Sequence, residues 1–246
     1  MAVSSLSLFT RCRTWLAGWL PSSCLLCEEA AAERHGLCAA CAADLPGNGP
    51  ACPRCALVLP VAAVCGQCLK RPPPFDACVA ALRYEWPGSE LVSRLKFQGE
   101  LPVLRLAGHL FAEVLSRQFT DITGRTMLVP VPLSRGRLAE RGFNQAQLLA
   151  EAAAGQCPAQ VVCALNRVRE TGAQVGRTRQ ERRRSMRDAF RPAPSVLLSG
   201  ADIVLVDDVV TTTATIQACT RALRSAGAAR IRVLALARAP SPGRGS

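Results

Sequence analysis

Eight of the chain's 13 cysteines fall between residues 24 and 68 as four Cys-x-x-Cys pairs: Cys24/Cys27, Cys38/Cys41, Cys52/Cys55 and Cys65/Cys68. A Cys-x-x-Cys turn aims two thiolates at one point, and two such knuckles complete a closed, tetrahedral site of the structural zinc type. Eight ligands make two Zn2+ sites. Sequence order pairs Cys24/Cys27 with Cys38/Cys41 and Cys52/Cys55 with Cys65/Cys68, while an interleaved cross-brace would use the same residues. Disulfides or redox pairs compete with this reading, but four pairs at this spacing favour zinc. The odd cysteine total also argues against a fully oxidised secreted protein. A closed site leaves no open coordination position, so the metal is expected to be structural.

A second constellation lies far down the chain: Ile203-Val204-Leu205-Val206-Asp207-Asp208-Val209-Val210-Thr211-Thr212-Thr213-Ala214-Thr215. Four consecutive apolar residues bounded by an acid read as a strand buried on both faces. The strand delivers two carboxylates at its end, and a loop of hydroxyl residues then opens a helix. Ligands of open α/β sheets sit outside the carboxyl ends of the strands. A helix N-terminus offers free N–H groups and a positive dipole to a phosphate. Adjacent carboxylates beside such a cradle suit the vicinal hydroxyls of a ribose. Two other readings stay open at this level: an acidic metal site, or acids that only cap the helix.

The elements that must position these groups follow from periodicity. Strands are expected at Ala77–Tyr84, Met127–Val131, Val161–Leu165, Ile203–Val206 and Ile231–Ala237. Helices are expected over Leu101–Gln118, Asn144–Ala154 and Thr212–Ala226. Strands alternating with helices imply an α/β fold with a parallel sheet. The expected domains are a short helix or tail over residues 1–20, a cysteine module over 21–70, a Pro-rich linker over 71–76, the α/β domain over 77–240 and a tail over 241–246. The linker holds the run Arg71-Pro72-Pro73-Pro74, and a triple proline is stiff and extended.

Composition bounds the class. With 246 residues, 49% of them hydrophobic, the chain can bury a sizeable core, which excludes wholesale disorder, a collagen-like fibre and a disulfide mini-protein. No apolar run reaches the roughly 18 residues of a spanning helix. The stretch Trp15–Leu20 is too short for a signal-peptide core. The expectation is a reduced, cytoplasmic protein with no membrane span. The net charge of +12 comes almost wholly from arginine, since Lys70 and Lys96 are the only lysines.

Taken together, these motifs resemble the ComF family of bacterial competence and DNA-uptake proteins. The resemblance rests on the double cysteine module, Leu95-Lys96-Phe97, Val129-Pro130-Val131-Pro132, the stretch Arg137–Gln145, Arg167-x-Arg169-x-Thr171-x-x-Gln174, and the segment ending Thr211-Thr212. It implies a Rossmann-like type I phosphoribosyltransferase domain preceded by a double zinc ribbon, with phosphoribosyl pyrophosphate (PRPP) as ligand and Mg2+ carried on the pyrophosphate. On that reading Asp207 and Asp208 hold the ribose hydroxyls. Thr211, Thr212, Thr213, Ala214 and Thr215 hold the 5′-phosphate, while Ser134, Arg135, Arg137 and Arg141 face the pyrophosphate. The resemblance also implies transfer of the phosphoribosyl group to an acceptor. The alternative is a non-catalytic PRPP sensor, or a single-stranded-DNA-binding component working with DNA-uptake proteins. The family's glycine in the loop is Thr213 here, so either the loop avoids positive φ or a β-branched residue adopts it.

The segment from Arg167 to Arg191 carries nine arginines against Glu170, Glu181 and Asp188, half the net charge of the chain. Arg167, Arg169, Arg182, Arg183 and Arg184 are candidates for a lid over pyrophosphate or for contacts to DNA phosphates. A solvated basic loop is the plain alternative.

Overall fold

The computed structural model describes residues 23–29, 35–169 and 189–240. The chain divides into two compact units, Met1–Leu45 and Pro46–Ser246. In the smaller unit, Cys24, Cys27, Cys38 and Cys41 gather in front of the short helix α1 (Ala39–Ala43), whose N-cap is Cys38.

In the larger unit, five parallel strands form one sheet: β1 (Ala77–Arg83), β2 (Met127–Pro130), β3 (Gln160–Val161), β6 (Asp202–Val210) and β7 (Arg230–Arg238). Their order is β1-β7-β6-β2-β3. Two further strands, β4 (Leu165–Arg167) and β5 (Phe190–Pro192), pair antiparallel as a separate hairpin. The helices are α2 (Gly66–Lys70), α3 (Gly88–Gln98), α4 (Leu101–Gln118), α5 (Arg135–Arg141), α6 (Gln145–Ala154) and α7 (Ala214–Ser225). Helices α3, α4 and α6 cover one face, while α7 and the β4–β5 hairpin cover the other. Strand β1 shows alternating burial, as an edge strand should. Central β6 and β7 are apolar on both faces, so Ile203 to Val206 and Ile231 to Ala237 read as almost unbroken apolar runs. The one break is Arg232.

The parallel α/β architecture expected from the sequence is present, but the expected strand Val161–Leu165 is split, β3 ending at Val161 and β4 beginning at Leu165 in the separate hairpin, and two boundaries differ. Strand β6 does not stop before Asp207. It runs to Val210, because β7 continues the ladder through Val209↔Ala237 and Val210↔Arg238. The unit boundary also falls at Leu45/Pro46 rather than in the Arg71–Pro74 run. Residues 46–70 belong to the larger unit because their backbone is tied to its sheet. Cys78 N donates to Pro53 O at 3.2 Å and Asn48 N to Ala81 O at 3.1 Å. The stretch Trp15–Leu20, the tail 241–246 and residues 170–188 of the arginine segment lie outside the described residues.

The amino ends of β6 and β7 are closed by charge. Arg232, 5% exposed, places Nη2 3.1 and 2.9 Å from the two Asp202 carboxylate oxygens and Nη1 on Asp121. Its guanidinium lies 4.8 Å from the Phe119 ring centre. Arg230 and Thr126 also donate to Asp202. Burial alone would raise the Asp202 pKa; the Arg230 and Thr126 hydrogen bonds and the Arg232 charge outweigh it and hold the carboxyl below 3.8. Removing one partner of a buried pair costs about 3–5 kcal/mol, and Asp121 remains as a second acceptor, so Asp202→Asn should destabilise by about 2 kcal/mol at neutral pH. A folded pKa below the unfolded one gives stability that is complete above the unfolded pKa and is lost as pH falls through the folded value. Denaturant titrations should therefore show the gap between wild type and variant closing as pH drops below 3.8.

Candidate phosphoribosyl site and zinc centres

The chain winds in opposite directions on either side of one gap in the sheet. The connection after β2 leads through α6 on one face. The connection after β6 leads through α7 on the other. Adjacent β2 and β6 are in register from Met127↔Ile203 to Pro130↔Val206, so their carboxyl ends open side by side. Such a switch point forms a crevice at the carboxyl end of a parallel sheet. Asp207 and Asp208 lie on one side of it, and the loop that follows Val131-Pro132 lies on the other.

The two acids differ in environment. Asp207 is in register with Ala235, on the face that α7 covers, and strand alternation turns Asp208 toward the α3 face. Asp208 N–H donates to Asp207 Oδ1 at 2.9 Å. Lys96 of α3 brings Nζ to 3.5 Å from Asp208 Oδ2 and lies 5.9 Å from the Tyr84 ring centre. Burial, then the Asp208 charge, push the Asp207 carboxyl well above its ordinary value, against the Asp208 N–H and Lys96. Lys96 received no role from its sequence position; the only signals were its membership in Leu95-Lys96-Phe97 and the scarcity of lysine.

The loop after β6 is short. Thr211 and Thr212 are exposed, Thr213 is the N-cap, and α7 starts at Ala214, two residues later than expected. Thr213 adopts φ 62° and ψ 0°, so the β-branched residue does occupy the left-handed region where the family's motif has glycine. Its neighbour Gln217 donates twice to it, Nε2 to Thr213 Oγ1 at 2.9 Å and N to Thr213 O at 2.8 Å. Left-handed backbone costs a non-glycine residue about 1–2 kcal/mol, and these two bonds offset part of that.

The expected pyrophosphate residues lie on α5. Ser134 is buried and caps the helix, its Oγ accepting from Arg137 N at 3.4 Å. The hydroxyl is thus already engaged in the fold. Arg135 and Arg137 are exposed. Arg141 turns back to the protein, donating from Nη1 to Gln145 Oε1 at 3.1 Å and lying 5.9 Å from the Phe97 ring centre. Arg167 and Arg169 stand at the start of the arginine segment, whose ends the β4–β5 hairpin holds together through Arg167↔Phe190. Arg182, Arg183 and Arg184 lie outside the described residues.

The cysteines form two tetrads in sequence order, Cys24/Cys27/Cys38/Cys41 and Cys52/Cys55/Cys65/Cys68, each with its sulfurs within 4.8 Å of one another. A tetrahedral Zn2+ with bonds of 2.3 Å requires sulfurs about 3.8 Å apart. Cys27 and Cys38 Sγ are 3.9 Å apart, and Cys55 and Cys65 Sγ are 3.7 Å apart. Each tetrad has one thiol prepared to ionise. Against the opposing effect of burial, backbone N–H groups bring Cys24 to about 6 and Cys52 to about 7. The donor set and spacing fit structural zinc in both.

Comparison with known proteins agrees with this geometry. Residues 15–69 match the double zinc ribbon domain, and residues 138–244 match the phosphoribosyl transferase domain. The chain is 36% identical over 228 residues to the DNA utilization protein YhgH of Salmonella typhimurium, covering 89% of this chain and 98% of that one. It is 34% identical to Competence protein F of Haemophilus influenzae, over 84% of this chain and 92% of that one. The chain belongs to the ComF family. Competence protein ComFC of Bacillus subtilis, at 29% identity over 78% of this chain and 80% of the relative, is a more distant ComF member. In this ComF chain the zinc-ribbon match crosses the boundary between the two units, with one tetrad in each.

Two measurements check the site. Protein purified under reducing conditions should contain two zinc ions per chain, and Cys24→Ser should contain one and unfold the smaller unit's zinc knuckle; reduced protein free of zinc would refute the assignment. The second concerns Asp207. A carboxyl raised in the fold contributes stability that is present below its unfolded pKa of 3.8 and is lost as pH rises through the folded value. Asp207→Asn should therefore raise the melting temperature at pH 7 and change it little at pH 3.

Proposed function

We propose that the larger unit binds PRPP with Mg2+ and transfers its phosphoribosyl group to an acceptor, in the service of DNA uptake or DNA use. The observation that carries this reading is the pair Asp207 and Asp208 at the switch point, next to the hydroxyl-rich N-terminus of α7. The carboxylates accept hydrogen bonds from the two ribose hydroxyls. Thr211, Thr212 and Thr215, with the free N–H groups opening α7, hold the 5′-phosphate. Lys96 limits repulsion between the two acids until the sugar hydroxyls arrive. Arg135 and Arg137, exposed on the β2 side of the crevice, face the pyrophosphate. Bound to pyrophosphate, Mg2+ neutralises the charge of the leaving group. Transfer breaks the bond between sugar C1 and the pyrophosphate oxygen and forms a bond to the acceptor. The protein contributes position and electrostatic stabilisation rather than a nucleophile.

The names of the relatives support the DNA setting. The arginine segment supports a second reading, in which the unit binds PRPP without turnover and contacts single-stranded DNA through that segment. Absence of pyrophosphate release in the presence of PRPP, Mg2+ and nucleobase or DNA acceptors would favour it.

Calorimetry with PRPP and Mg2+ tests the site itself. One charged hydrogen bond is worth about 1.5–3 kcal/mol, so each lost acid should weaken binding about tenfold or more. Asp207→Asn combined with Asp208→Asn should abolish measurable binding while the protein stays folded. Retained affinity would overturn the assignment. In the same assay Thr213→Gly should bind more tightly if the left-handed cap limits how closely phosphate approaches.

A further inference from the structure

Arg238 closes β7 and is 6% exposed. Its hydrogen bonds go to backbone carbonyls. Nε donates to Cys55 O at 2.9 Å, while Nη1 donates to Val210 O at 3.0 Å, to Thr211 O at 2.7 Å and to Ala239 O. Val210 is the last residue of β6, and Thr211 is the first of the phosphate loop. Cys55 belongs to the 52–68 tetrad. One guanidinium therefore joins the peptide of a zinc ligand to the two peptides that enter the loop.

The zinc end of this link is itself fixed. Ala56 sits at φ 58°, its N donates to Cys52 O at 2.8 Å, and its carbonyl accepts from buried Asn48 Nδ2 at 3.0 Å. The Cys55 sulfur faces the metal site while its carbonyl faces Arg238. The same residue thus offers a sulfur to the metal site and a carbonyl to Arg238. Partners outside the ligand sphere are commonly tied to metal ligands in this way, and here the tie runs on to a second site. Arginine suits the task because its rigid fork spans acceptors on two sides, whereas a lysine ammonium is a single compact point.

We propose that Arg238 is a positioning residue that makes the order of the phosphate loop depend on zinc in the 52–68 tetrad. With metal bound, Cys55 O holds the guanidinium where it orients the Val210 and Thr211 carbonyls, and so the Thr211 and Thr212 N–H groups of the same peptide units. With the tetrad empty, that orientation is lost. The 24–41 tetrad has no part in this path, every member of which lies in the larger unit. The inference rests on residues 211–215 being the phosphate cradle, yet loop order is measurable without any ligand.

The test is amide hydrogen exchange on the full chain, purified with zinc, with metal analysis and thermal melting of each variant. Arg238→Lys should keep two zinc ions and a nearly unchanged melting temperature. Exchange at Gln217 and Ala239, whose N–H groups donate to the loop carbonyls Thr213 O and Val210 O, should be about tenfold faster, as for one lost charged hydrogen bond, while Ile203–Val206 and α4 keep their protection. Cys65→Ser, which empties the second tetrad, should speed the loop equally. Cys24→Ser should leave it unchanged, and adding Arg238→Lys to Cys65→Ser should bring no further change. PRPP affinity should fall about tenfold in both loop-loosening variants. The proposal is overturned if Arg238→Lys leaves loop exchange unchanged, if both cysteine variants speed it alike, or if the faster exchange spreads through β6. Should Arg238→Lys fail to fold, the two cysteine variants decide. Wild type that does not bind PRPP but shows this exchange pattern refutes the phosphate-cradle reading and leaves the zinc dependence of the loop standing.

Discussion

A strand covered on both faces offers no water to a charge, and β6 carries two acids in the second half of such a strand. Its first half obeys the constraint, with Ile203 to Val206 apolar and buried. Its second half does not, and the surrounding structure is arranged around that exception. Asp207 stays on the α7 face at the expense of its ionisation, which burial and Asp208 oppose. Asp208 turns to the opposite face, where Lys96 approaches it. The acids cannot be moved to solvent without breaking the ladder to β7, which continues to Val210↔Arg238. A core strand with only a structural task would replace both acids with apolar residues. Both acids instead stand on a largely buried strand beside the reversal of winding.

The neighbouring strand β7 ties one of the two zinc tetrads to the end of β6. A segment of about 50 residues has too little core to hold itself, and metal supplies the missing free energy. The two tetrads look equivalent in spacing, but they have different surroundings. The 24–41 tetrad belongs to its own small unit. The 52–68 tetrad is built into the sheet through Asn48, Pro53 and Cys55, and the last of these reaches Arg238. Duplication of a motif in the sequence therefore did not produce duplication of role.

Much of this organisation could be read from residue types. Cysteine spacing announced two metal sites because thiolate geometry leaves few alternatives. Apolar runs bounded by turn residues announced a parallel sheet, because strands buried on both faces lose the alternating pattern. What escaped was set by long-range pairing. The extension of β6 through two acids depends on β7, 28 positions away in register terms for Val210↔Arg238, and no local pattern predicts an acidic stretch as buried strand. Helix α3 was missed because Gly88–Gln98 mixes polar and apolar residues with only modest amphipathicity, and with it went the place of Lys96 beside Asp208. The unit boundary was placed at the triple proline because stiffness is visible in sequence, whereas hydrogen bonds from residues 46–56 to β1 are not.

Thr213 shows how a local penalty and a distant constraint combine. Glycine at the loop would remove the strain of φ 62°, but it would also remove the hydroxyl that accepts from Gln217 Nε2. Threonine thus exchanges backbone freedom for a pinned first turn of α7. At the other end of the loop Arg238 pins the Val210 and Thr211 carbonyls. Only Thr212, exposed and between the two anchors, is left with room to adjust. A loop held at both ends has little conformational freedom left. The strained residue and the buried arginine thus act on the same short loop, one from each end.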